Sequence, residues 1–173
     1  FINTASGVRL NGVSSVTSTD IIANNGVIHV VDAVIGLPTI VTHATANPNF
    51  STLATILTQQ ELVGTLNGTA SSPFTVFAPL NSAFDTATLN LYSGLNATQK
   101  TAVLTYHVVP GANVLSNAIP SGPITTFETG TFTISGTVIT DEQNRTTNIV
   151  ATDVQASNGV IHAVNQVLLP NIN

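Results

Sequence analysis

Histidines and carboxylates are the residues of this chain whose types could support acid–base chemistry or metal binding. The 173 residues include four histidines and eight carboxylates. His107 could act as a general base or a metal ligand, but it follows Tyr106 in an apolar run that reads as a strand, YHVV. A histidine in such a run usually bonds its ring nitrogens to backbone or hydroxyl groups. We therefore expect His107 to be a buried structural residue.

The other histidines and the carboxylates do not show the spacing of a metal site. His29 and His162 lie at equivalent places in two copies of one pentapeptide, on a face shared with valines, which favours packing. His43 lies between two predicted domains, and we expect it to be exposed. Asp141 and Glu142 are adjacent in a polar stretch, which indicates a solvated hairpin turn more than a calcium site. Because a metal site needs several convergent ligands, we predict no metal and no cofactor.

Sequence motifs of the common enzyme classes are missing from the chain. It contains no GxSxG, HExxH, P-loop or GxGxxG pattern. It also contains no cysteine, which excludes a thiol nucleophile and a disulfide framework. A Ser–His–Asp triad could assemble from distant positions, although no local pattern supports one. We therefore predict that the chain has no catalytic residues.

Charge and hydropathy exclude two classes of partner. Charged residues make up 6% of the chain, with three basic side chains and a net charge of −5, against about 25% charged residues in a typical domain. Nucleic acids and anionic membrane surfaces both require a basic patch on the protein, so we exclude both. The hydrophobic content of 43% is enough for a core. No apolar run approaches the ~20 residues that span a bilayer, so we expect no direct membrane insertion.

An internal repeat indicates where the domains begin and end. Residues 19–34 read TDIIANNGVIHVVDAV and residues 152–167 read TDVQASNGVIHAVNQV, so that Asp20 and Asp153 stand 133 positions apart. A repeat of this length is typical of domains in tandem. We predict that residues 1–37 are the C-terminal remnant of one domain and that residues 38–173 are a complete second domain.

The repeated segment has the pattern of a β-hairpin. Asn25-Gly26 and Asn158-Gly159 both lie between apolar, β-branched runs. An Asn-Gly pair favours a type I′ turn, whose two central residues need positive φ. In the strand that contains His162, alternate residues are apolar on both faces. We therefore expect a central strand that is covered on both sides.

The rest of the chain changes from helical to extended patterns. Apolar spacing and capping residues predict helices in the first half, and most of the predicted strands follow residue 123. This distribution favours an α+β fold over alternating β–α–β units. The predicted helices cover residues 48–57, 61–66 and 96–104, and the first predicted strands cover 74–78 and 106–109.

Three motifs of the chain resemble those of the fasciclin domain family. FTVFAPLNSAF at 74–84 is similar to the family's first conserved box, and LTYHVV at 104–109 matches its tyrosine–histidine motif. Residues 158–170 are similar to the second conserved box, which residues 25–38 repeat. The resemblance implies an α+β fold of the fasciclin β-wedge type. Such a fold has a twisted sheet of about seven strands with several helices packed against it.

The same resemblance implies a recognition surface. In some animal members of the family, an Asp-Ile pair before the second box and the tyrosine–histidine motif have been implicated in integrin binding. Valine replaces isoleucine in the second of the two matching pairs of this chain. The candidate adhesion surface implied by the resemblance comprises Asp20, Ile21, Tyr106, His107, Asp153 and Val154, and the structural motif comprises Asn25, Gly26, His29, Asn158, Gly159 and His162.

We compare three functions for the chain. The resemblance implies a secreted or cell-surface module for adhesion or matrix interaction in a tandem array, with a cell-surface or matrix protein, or a glycan, as its partner. A carbohydrate- or small-ligand-binding module is the alternative, although no tryptophan and two tyrosines leave few side chains for sugar stacking. A hydrolase with an unrecognised triad is the third. Residues 1–37 hold an apolar hairpin with unpaired edges, so we expect this segment to pack on the complete domain or to mediate homo-association.

Overall fold

Two β-sheets and five α-helices form the fold in the computed structural model, which describes residues 2–4, 6–68 and 70–172. The described residues do not include Phe1 and Asn173, which are the first and last residues of the two predicted domains. The helices are α1 (Ile40–Ala46), α2 (Ser51–Gln59), α3 (Val63–Asn67), α4 (Thr86–Gly94) and α5 (Ala97–Tyr106). The strands are β1 (Ile2–Asn3), β2 (Arg9–Leu10), β3 (Ser14–Ala23), β4 (Gly26–Val31), β5 (Phe74–Pro79), β6 (Val108–Val109), β7 (Pro123–Thr125), β8 (Thr131–Ser135), β9 (Val138–Thr140), β10 (Thr146–Ala156) and β11 (Gly159–Val164).

The larger sheet has seven strands in the order β6-β5-β11-β10-β9-β8-β7. Strands β5 and β11 run parallel, and the other neighbours are antiparallel. All five helices precede the five strands that run from β7 to β11, which confirms the predicted α+β class and the sheet of about seven strands. All six residues of β11 are buried. This confirms that β11 is a central strand covered on both faces.

Each face of the larger sheet packs on its own core. The helical face buries Phe50 and Leu53 against Ile161 of β11. The opposite face buries Phe77 against Val164 of the same strand. Successive residues of β11 thus serve different cores, because side chains alternate across a strand. Each large apolar side chain that is fully buried in this way stabilises the fold by about 1.5–3 kcal/mol.

Side-chain caps determine where the helices begin. Asn96 and Gln99 form a reciprocal capping box at the start of α5. Asp85 caps α4 by accepting the backbone N–H of Thr88 at 2.7 Å, and Thr39 caps α1. Helix α1 lies in a segment for which the sequence predicted no helix. None of the helices within the described residues combines the length and apolarity that a membrane span requires.

Tyr106 and His107 do not lie on a strand, so that part of the sequence prediction is wrong. Tyr106 is the last residue of α5, and His107 is its C-cap, with φ −81° and ψ −2°. The backbone N–H of His107 bonds to the carbonyl of Leu104, which closes the helix. Only Val108 and Val109 form β6. The apolar run YHVV is therefore split between the end of a helix and a short strand.

The smaller sheet has the order β1-β2-β3-β4 and is built from residues before Asp32. It contacts the end of α1, where Asn3 Nδ2 donates to the carbonyl of Ala46 at 3.5 Å and Gly12 lies too close to Ala46 for any side chain. The hairpin of β3 and β4 remains open to solvent. Its exposed large apolar residues are Ile21, Ile22, Val27, Ile28 and Val30.

Candidate functional site

A β-bulge in β10 places Asp153 and Val154 at the surface. Thr152 and Asp153 together lie opposite the single residue His162 of β11. Asp153 has φ 62°, in the left-handed region that aspartate tolerates better than most residues. The side chain of Val154 is 39% exposed. The left-handed backbone of the bulge is therefore a sufficient reason for an aspartate at this position, whether or not a partner binds its side chain.

The carboxylate of Asp153 holds the loop between β6 and β7. Its Oδ1 accepts the backbone N–H of Ser116 at 2.8 Å, and its Oδ2 accepts the Ser116 hydroxyl. The hydrogen bond from the Ser116 hydroxyl is the main reason that the pKa of Asp153 lies below its usual value. Both carboxylate oxygens are thus bonded to groups of the chain itself.

His162 lies beneath the bulge and is fully buried. The backbone N–H of Asp153 donates to its Nδ1 at 3.4 Å, and its Nε2 donates to the carbonyl of Val114 at 2.9 Å. Nδ1 thus acts as an acceptor and Nε2 as a donor, so both ring nitrogens are occupied. The ring also stacks on Phe77, with centroids 5.4 Å apart. His162 therefore supports both the bulge and the loop, and neither ring nitrogen is available to a ligand.

Tyr106 is buried, so its predicted place in an adhesion surface is wrong. Its side chain is 0% exposed, and its hydroxyl donates to the carbonyl of Thr131 at 2.7 Å. The same oxygen accepts the backbone N–H of Glu142 at 3.1 Å. Burial raises the pKa of Tyr106 well above its ordinary value, which keeps the phenol neutral. Tyr106 therefore joins the end of α5 to β8 and to the turn after β9.

His107 is also buried, at 4% exposure, and the prediction that it contributes to an adhesion surface is wrong as well. Its Nδ1 donates to the carbonyl of Val103 at 2.7 Å, and its Nε2 accepts the backbone N–H of Leu168 at 2.9 Å. Burial lowers the pKa of His107 to about 4 because the charged ring would lose its hydration. A neutral ring with both nitrogens bonded to backbone can neither accept a substrate proton nor bind a metal.

The first hairpin repeats the bulge on an open sheet. Asp20 has φ 60°, and its backbone N–H donates to His29 Nδ1 at 3.3 Å. Ile21 and His29 are exposed, in contrast to the buried histidine of the second copy. The hairpin closes between Ala23 and Gly26. The candidate pair of Asp20 and Ile21 thus has the same bulge geometry as Asp153 and Val154, but it lies on an exposed hairpin and not on a buried one.

The turn of the second hairpin differs from the type I′ prediction. Ala156 pairs with Gly159, so the two central residues are Ser157 and Asn158, and neither has positive φ. Gly159 is the first residue of β11, with φ 153°, and a Cβ there would overlap the carbonyl oxygen of Phe74. The glycine is required by its positive φ and by the close approach of β5. The type I′ prediction failed because the turn is centred one residue earlier, on Ser157 and Asn158, and the glycine begins the next strand beside β5.

Asn158 ties the turn to two helices. Its Oδ1 accepts the backbone N–H of Ile40 at 2.9 Å, at the start of α1. Its Nδ2 donates to the carbonyl of Leu66 at 2.7 Å, near the end of α3. Asn158 of the repeated pentapeptide therefore connects the turn to α1 and α3, which are distant in sequence. The sequence carried no signal for these two partners.

Two other sequence predictions are corrected by the structure. His43 is buried rather than exposed, its Nε2 donates to the carbonyl of Gln155 at 3.0 Å, and burial lowers its pKa. Asp141 is buried rather than in a solvated turn. Its carboxylate accepts backbone N–H groups of Arg145 at 2.9 Å and Leu169 at 3.0 Å. Both errors arise from partners that lie far away in the sequence.

Ser116, Asp153 and His162 bring together the residue types of a hydrolytic triad, but not its arrangement. The Ser116 hydroxyl bonds to Asp153, and both nitrogens of His162 bond to backbone groups. A triad requires the histidine to accept the proton of the serine hydroxyl, and that contact is missing here. Among residues 2–4, 6–68 and 70–172, no three His, Asp or Glu side chains converge as metal ligands would.

Comparisons with known proteins agree with the fold. A model of the fasciclin domain family matches residues 1–38 and 48–170. Protein sll1483 of Synechocystis is 38% identical over 138 residues, which cover 76% of this chain and 73% of that protein. Cell surface glycolipoprotein MPB83 of Mycobacterium bovis is 32% identical over 141 residues, covering 76% of this chain and 60% of that protein.

A solved structure shares the fold at low sequence identity. It is the FAS1 domain pair from the insect cell adhesion molecule fasciclin I, with a TM-score of 0.65 and 22% identity. The match covers 92% of this chain and 61% of the domain pair. The likeness therefore extends beyond the seven-stranded sheet and its helices to the first hairpin.

Proposed function

The chain belongs to the fasciclin domain family, and we propose that it is a non-enzymatic module that binds a cell-surface or extracellular-matrix protein outside the cell. One relative is named a cell surface glycolipoprotein, and the structural neighbour comes from a cell adhesion molecule. The observation that carries the proposal is the state of the reactive side chains. His107 and His162 are buried with both ring nitrogens bonded to the chain, which leaves shape and surface as the means of action.

The bulge surface is the proposed contact region, and it comprises Leu115, Ser116, Asp153 and Val154. Val154 and Leu115 are both exposed apolar side chains, and each is next in sequence to one partner of the Asp153–Ser116 hydrogen bonds. Exposed apolar residues rimmed by polar groups are typical of protein-binding sites. The Asp153–Ser116 bonds keep this surface in one shape, so little conformational entropy is lost on binding.

We further propose that the module acts in a tandem array, with residues 1–37 ending one module and residues 38–173 forming the next. The repeated hairpins have the same strand register, since Ile22 pairs with Val27 as Gln155 pairs with Val160. Linked modules raise the effective concentration of each binding surface. Weak contacts at single bulge surfaces therefore add up to firm attachment.

A bead-attachment assay tests the proposed function. Beads coated with the chain are incubated with cells or with matrix proteins, and Val154→Lys is compared with Thr133→Lys, which places the same charge on an exposed residue of β8. We expect Val154→Lys to reduce attachment about tenfold, equivalent to about 1.4 kcal/mol, and Thr133→Lys to leave it unchanged. Equal attachment of both variants would show that the bulge surface is not the contact region.

One feature favours the alternative function, a small-ligand-binding module. A groove of about 260 Å³ lies between β5 and the loop before β7, and Phe77, Val109, Val114 and Ile119 are among its apolar lining residues. Its chemistry suits a small apolar ligand better than a sugar. Fluorescence titration with N-phenyl-1-naphthylamine tests it. Saturable binding that is lost in the groove-filling variant Ala112→Leu would support this alternative, and no saturable binding would remove it.

A further inference from the structure

A polar cleft of about 300 Å³ lies where the smaller sheet meets the helices. Residues of the smaller sheet line one side, and the end of α1 and the start of α2 line the other. Six of the nine lining residues of this junction cleft are polar, namely Asn3, Arg9, Thr42, Thr45, Asn47 and Ser51. The volume reaches the lower end of the range for small-molecule sites, which are common at such junctions. The junction cleft is therefore large enough and polar enough to bind a small hydrophilic ligand.

One wall of the junction cleft is a row of polar side chains across three strands. Arg9 of β2 lies directly opposite Asn3 of β1 and Ser15 of β3. Directly opposite residues of antiparallel strands present their side chains on the same face of a sheet. That face meets the helices, because Asn3 Nδ2 donates to the carbonyl of Ala46 at the end of α1. The register of the sheet therefore places the guanidinium of Arg9 beside the junction cleft.

Within the described part of the chain, the guanidinium of Arg9 has no ion-pair partner. The one ion pair recorded there joins Arg145 to Asp141. The carboxylate of Asp32 lies on the same sheet as Arg9, but it accepts the backbone N–H of Ser15 at 2.7 Å. A guanidinium presents five N–H donors in a planar fork that matches the two oxygens of a carboxylate. Arg9 is exposed and can therefore bind an anionic group from solution.

The helical wall supplies both donors and acceptors. The Thr45 hydroxyl donates to the carbonyl of Val41, so its lone pairs can accept. Ser51 Oγ accepts the side-chain amide of Asn81 at 3.0 Å, which leaves its own proton to donate. The side-chain oxygen of Asn47 accepts a backbone N–H, which leaves its NH₂ group as a donor. This mixture suits sugar hydroxyl groups, because each of them both donates and accepts.

The charge of the junction cleft suits one carboxylate and not a polyanion. Arg9 is the one basic residue among its described lining residues, and the chain has a net charge of −5, which repels polyanions. Ala46 and Pro48 add a small apolar surface that suits the C–H face of a sugar ring. A ring with hydroxyl groups and a single carboxylate is a hexuronic acid. The lining residues therefore match that class of ligand.

A second cleft gives the ligand room to continue. It has a volume of about 370 Å³, shares Asn3 and Arg9 with the junction cleft and is also lined by Ser6, Ser15 and Val16. Arg9 thus lies between two clefts that could each hold a sugar unit. The pair of clefts favours a saccharide chain over a free monosaccharide.

We propose that this junction binds an acidic saccharide, with one hexuronic acid unit in the junction cleft and the adjoining sugar unit in the second cleft. Arg9 holds the carboxylate through two parallel N–H···O bonds. Asn47 and Ser51 donate to oxygens of the uronic acid ring, and Thr45 accepts from one of its hydroxyl groups. The site is separate from the bulge surface and does not depend on the protein contact proposed there.

NMR titration with a matched pair of disaccharides tests this site. Cellobiouronate carries a carboxylate where cellobiose carries a hydroxymethyl group. We expect cellobiouronate to shift the amide signals of Asn3, Gly12 and Asn47 saturably, with a dissociation constant on the order of 1 mM. The amide signal of Val154 on the bulge surface should not move. Cellobiose should bind at least about tenfold more weakly, because it cannot form the charge-assisted bonds to Arg9.

Two variants that remove one positive charge each separate the site from the net charge. Arg9→Gln should weaken cellobiouronate binding at least about tenfold, to the level of cellobiose. Lys100→Gln is the control, since Lys100 lies over the ring of Tyr92 and not in the junction cleft, and it should leave binding unchanged. Thr45→Leu narrows the junction cleft at an exposed residue of α1 and should weaken the binding of both sugars. Circular dichroism checks that each variant is folded.

Four results would overturn the proposal. One is the lack of saturable shifts at the junction cleft with cellobiouronate. Another is cellobiose binding as tightly as cellobiouronate, which would mean that the carboxylate is not recognised. A third is unchanged affinity in folded Arg9→Gln. The last is tighter binding of inorganic phosphate at the same amides, which would assign the junction cleft to inorganic anions instead of a saccharide.

Discussion

The hairpins β3–β4 and β10–β11 have the same local geometry in opposite environments. Asp20 and Asp153 have φ values of 60° and 62°, and each donates its backbone N–H to the Nδ1 of the histidine across the bulge. Yet β4 is open to solvent and β11 is buried on both faces. The hairpin sequence is therefore enough to specify register and bulge, whereas burial depends on β5 and the helices.

This difference separates two roles that the repeated motif combines. The bulge is a local feature, and in each hairpin the apolar residue that follows its aspartate, Ile21 or Val154, is exposed. The pentapeptide NGVIH pairs with the neighbouring antiparallel strand in both hairpins, but it also pairs with β5 and packs against the helices in the second. Equivalent substitutions in the two hairpins are therefore matched controls for each other, because they make the same chemical change in different surroundings.

The largest difference is expected between Ile161→Ala and Ile28→Ala. Ile161 is buried in the helical core, and removing its side chain there should cost about 4 kcal/mol through lost burial and a cavity. Ile28 is half exposed, so its loss should cost less than about 1 kcal/mol. Urea unfolding of the two variants measures both free energies. Equal losses would show that β4 is covered in solution.

A smaller difference is expected between Gly159→Ala and Gly26→Ala. The added methyl at residue 159 must push β5 away, which should cost about 3 kcal/mol. At residue 26 the methyl meets nothing, and the free energy of unfolding should change by less than about 0.5 kcal/mol. Urea unfolding measures both free energies. An equal loss at the two positions would show that the edge of β4 is covered in solution.

The next difference is expected between Asn158→Ala and Asn25→Ala. The first substitution leaves the backbone N–H of Ile40 and the carbonyl of Leu66 without their partner, which should lower the free energy of unfolding by about 2 kcal/mol. Asn25 is exposed, and its replacement should be neutral within about 0.5 kcal/mol. Thermal unfolding followed by circular dichroism measures both. A destabilised Asn25→Ala would mean that the first turn has partners of its own.

Local patterns predicted the parts of the fold that local interactions decide. The alternation in GVIHAV predicted a strand covered on both faces, because that strand does face two cores. Caps predicted the start of α5 at Asn96. The division of the chain into residues 1–37 and 38–173 stays a prediction. These results depend on residues within a few positions of one another, which is what a single sequence displays.

Other features could not be predicted, because their causes are distant in the sequence. His43 is buried since α1 packs on β11, and its ring bonds to Gln155, 112 positions away. Asp141 is buried because its carboxylate accepts the backbone N–H of Leu169, 28 positions away. Tyr106 was predicted in a surface motif, but its hydroxyl is buried and bonds to the backbone of Thr131 in β8 and of Glu142 in the turn after β9. Polar residues that bond to distant backbone carry no periodic signal.

The smallest difference is expected between Asp153→Asn and Asp20→Asn. Bonds from Ser116 lower the folded-state pKa of Asp153 below its ordinary 3.8, so the ionised carboxylate stabilises the fold above that pH. This contribution is lost as the pH falls through the lowered pKa, and Asp153→Asn should remove this part of the acid dependence. Asp20→Asn should keep it, because Asp20 lacks such a serine contact in the described residues. Unfolding free energies between about pH 5 and about pH 2 measure the effect.

The same pair of variants decides what the aspartate of the bulge contributes to binding. Asparagine tolerates the left-handed backbone of the bulge, and its side-chain oxygen can still accept the N–H of Ser116. We therefore expect the Asp153→Asn variant to be folded at neutral pH. If Asp153→Asn attaches to cells as the unchanged chain does, the carboxylate serves the loop and Val154 makes the contact. If attachment is lost while the unfolding free energy at neutral pH is kept, a partner binds the charge itself, and the two hairpins differ in recognition as well as in burial.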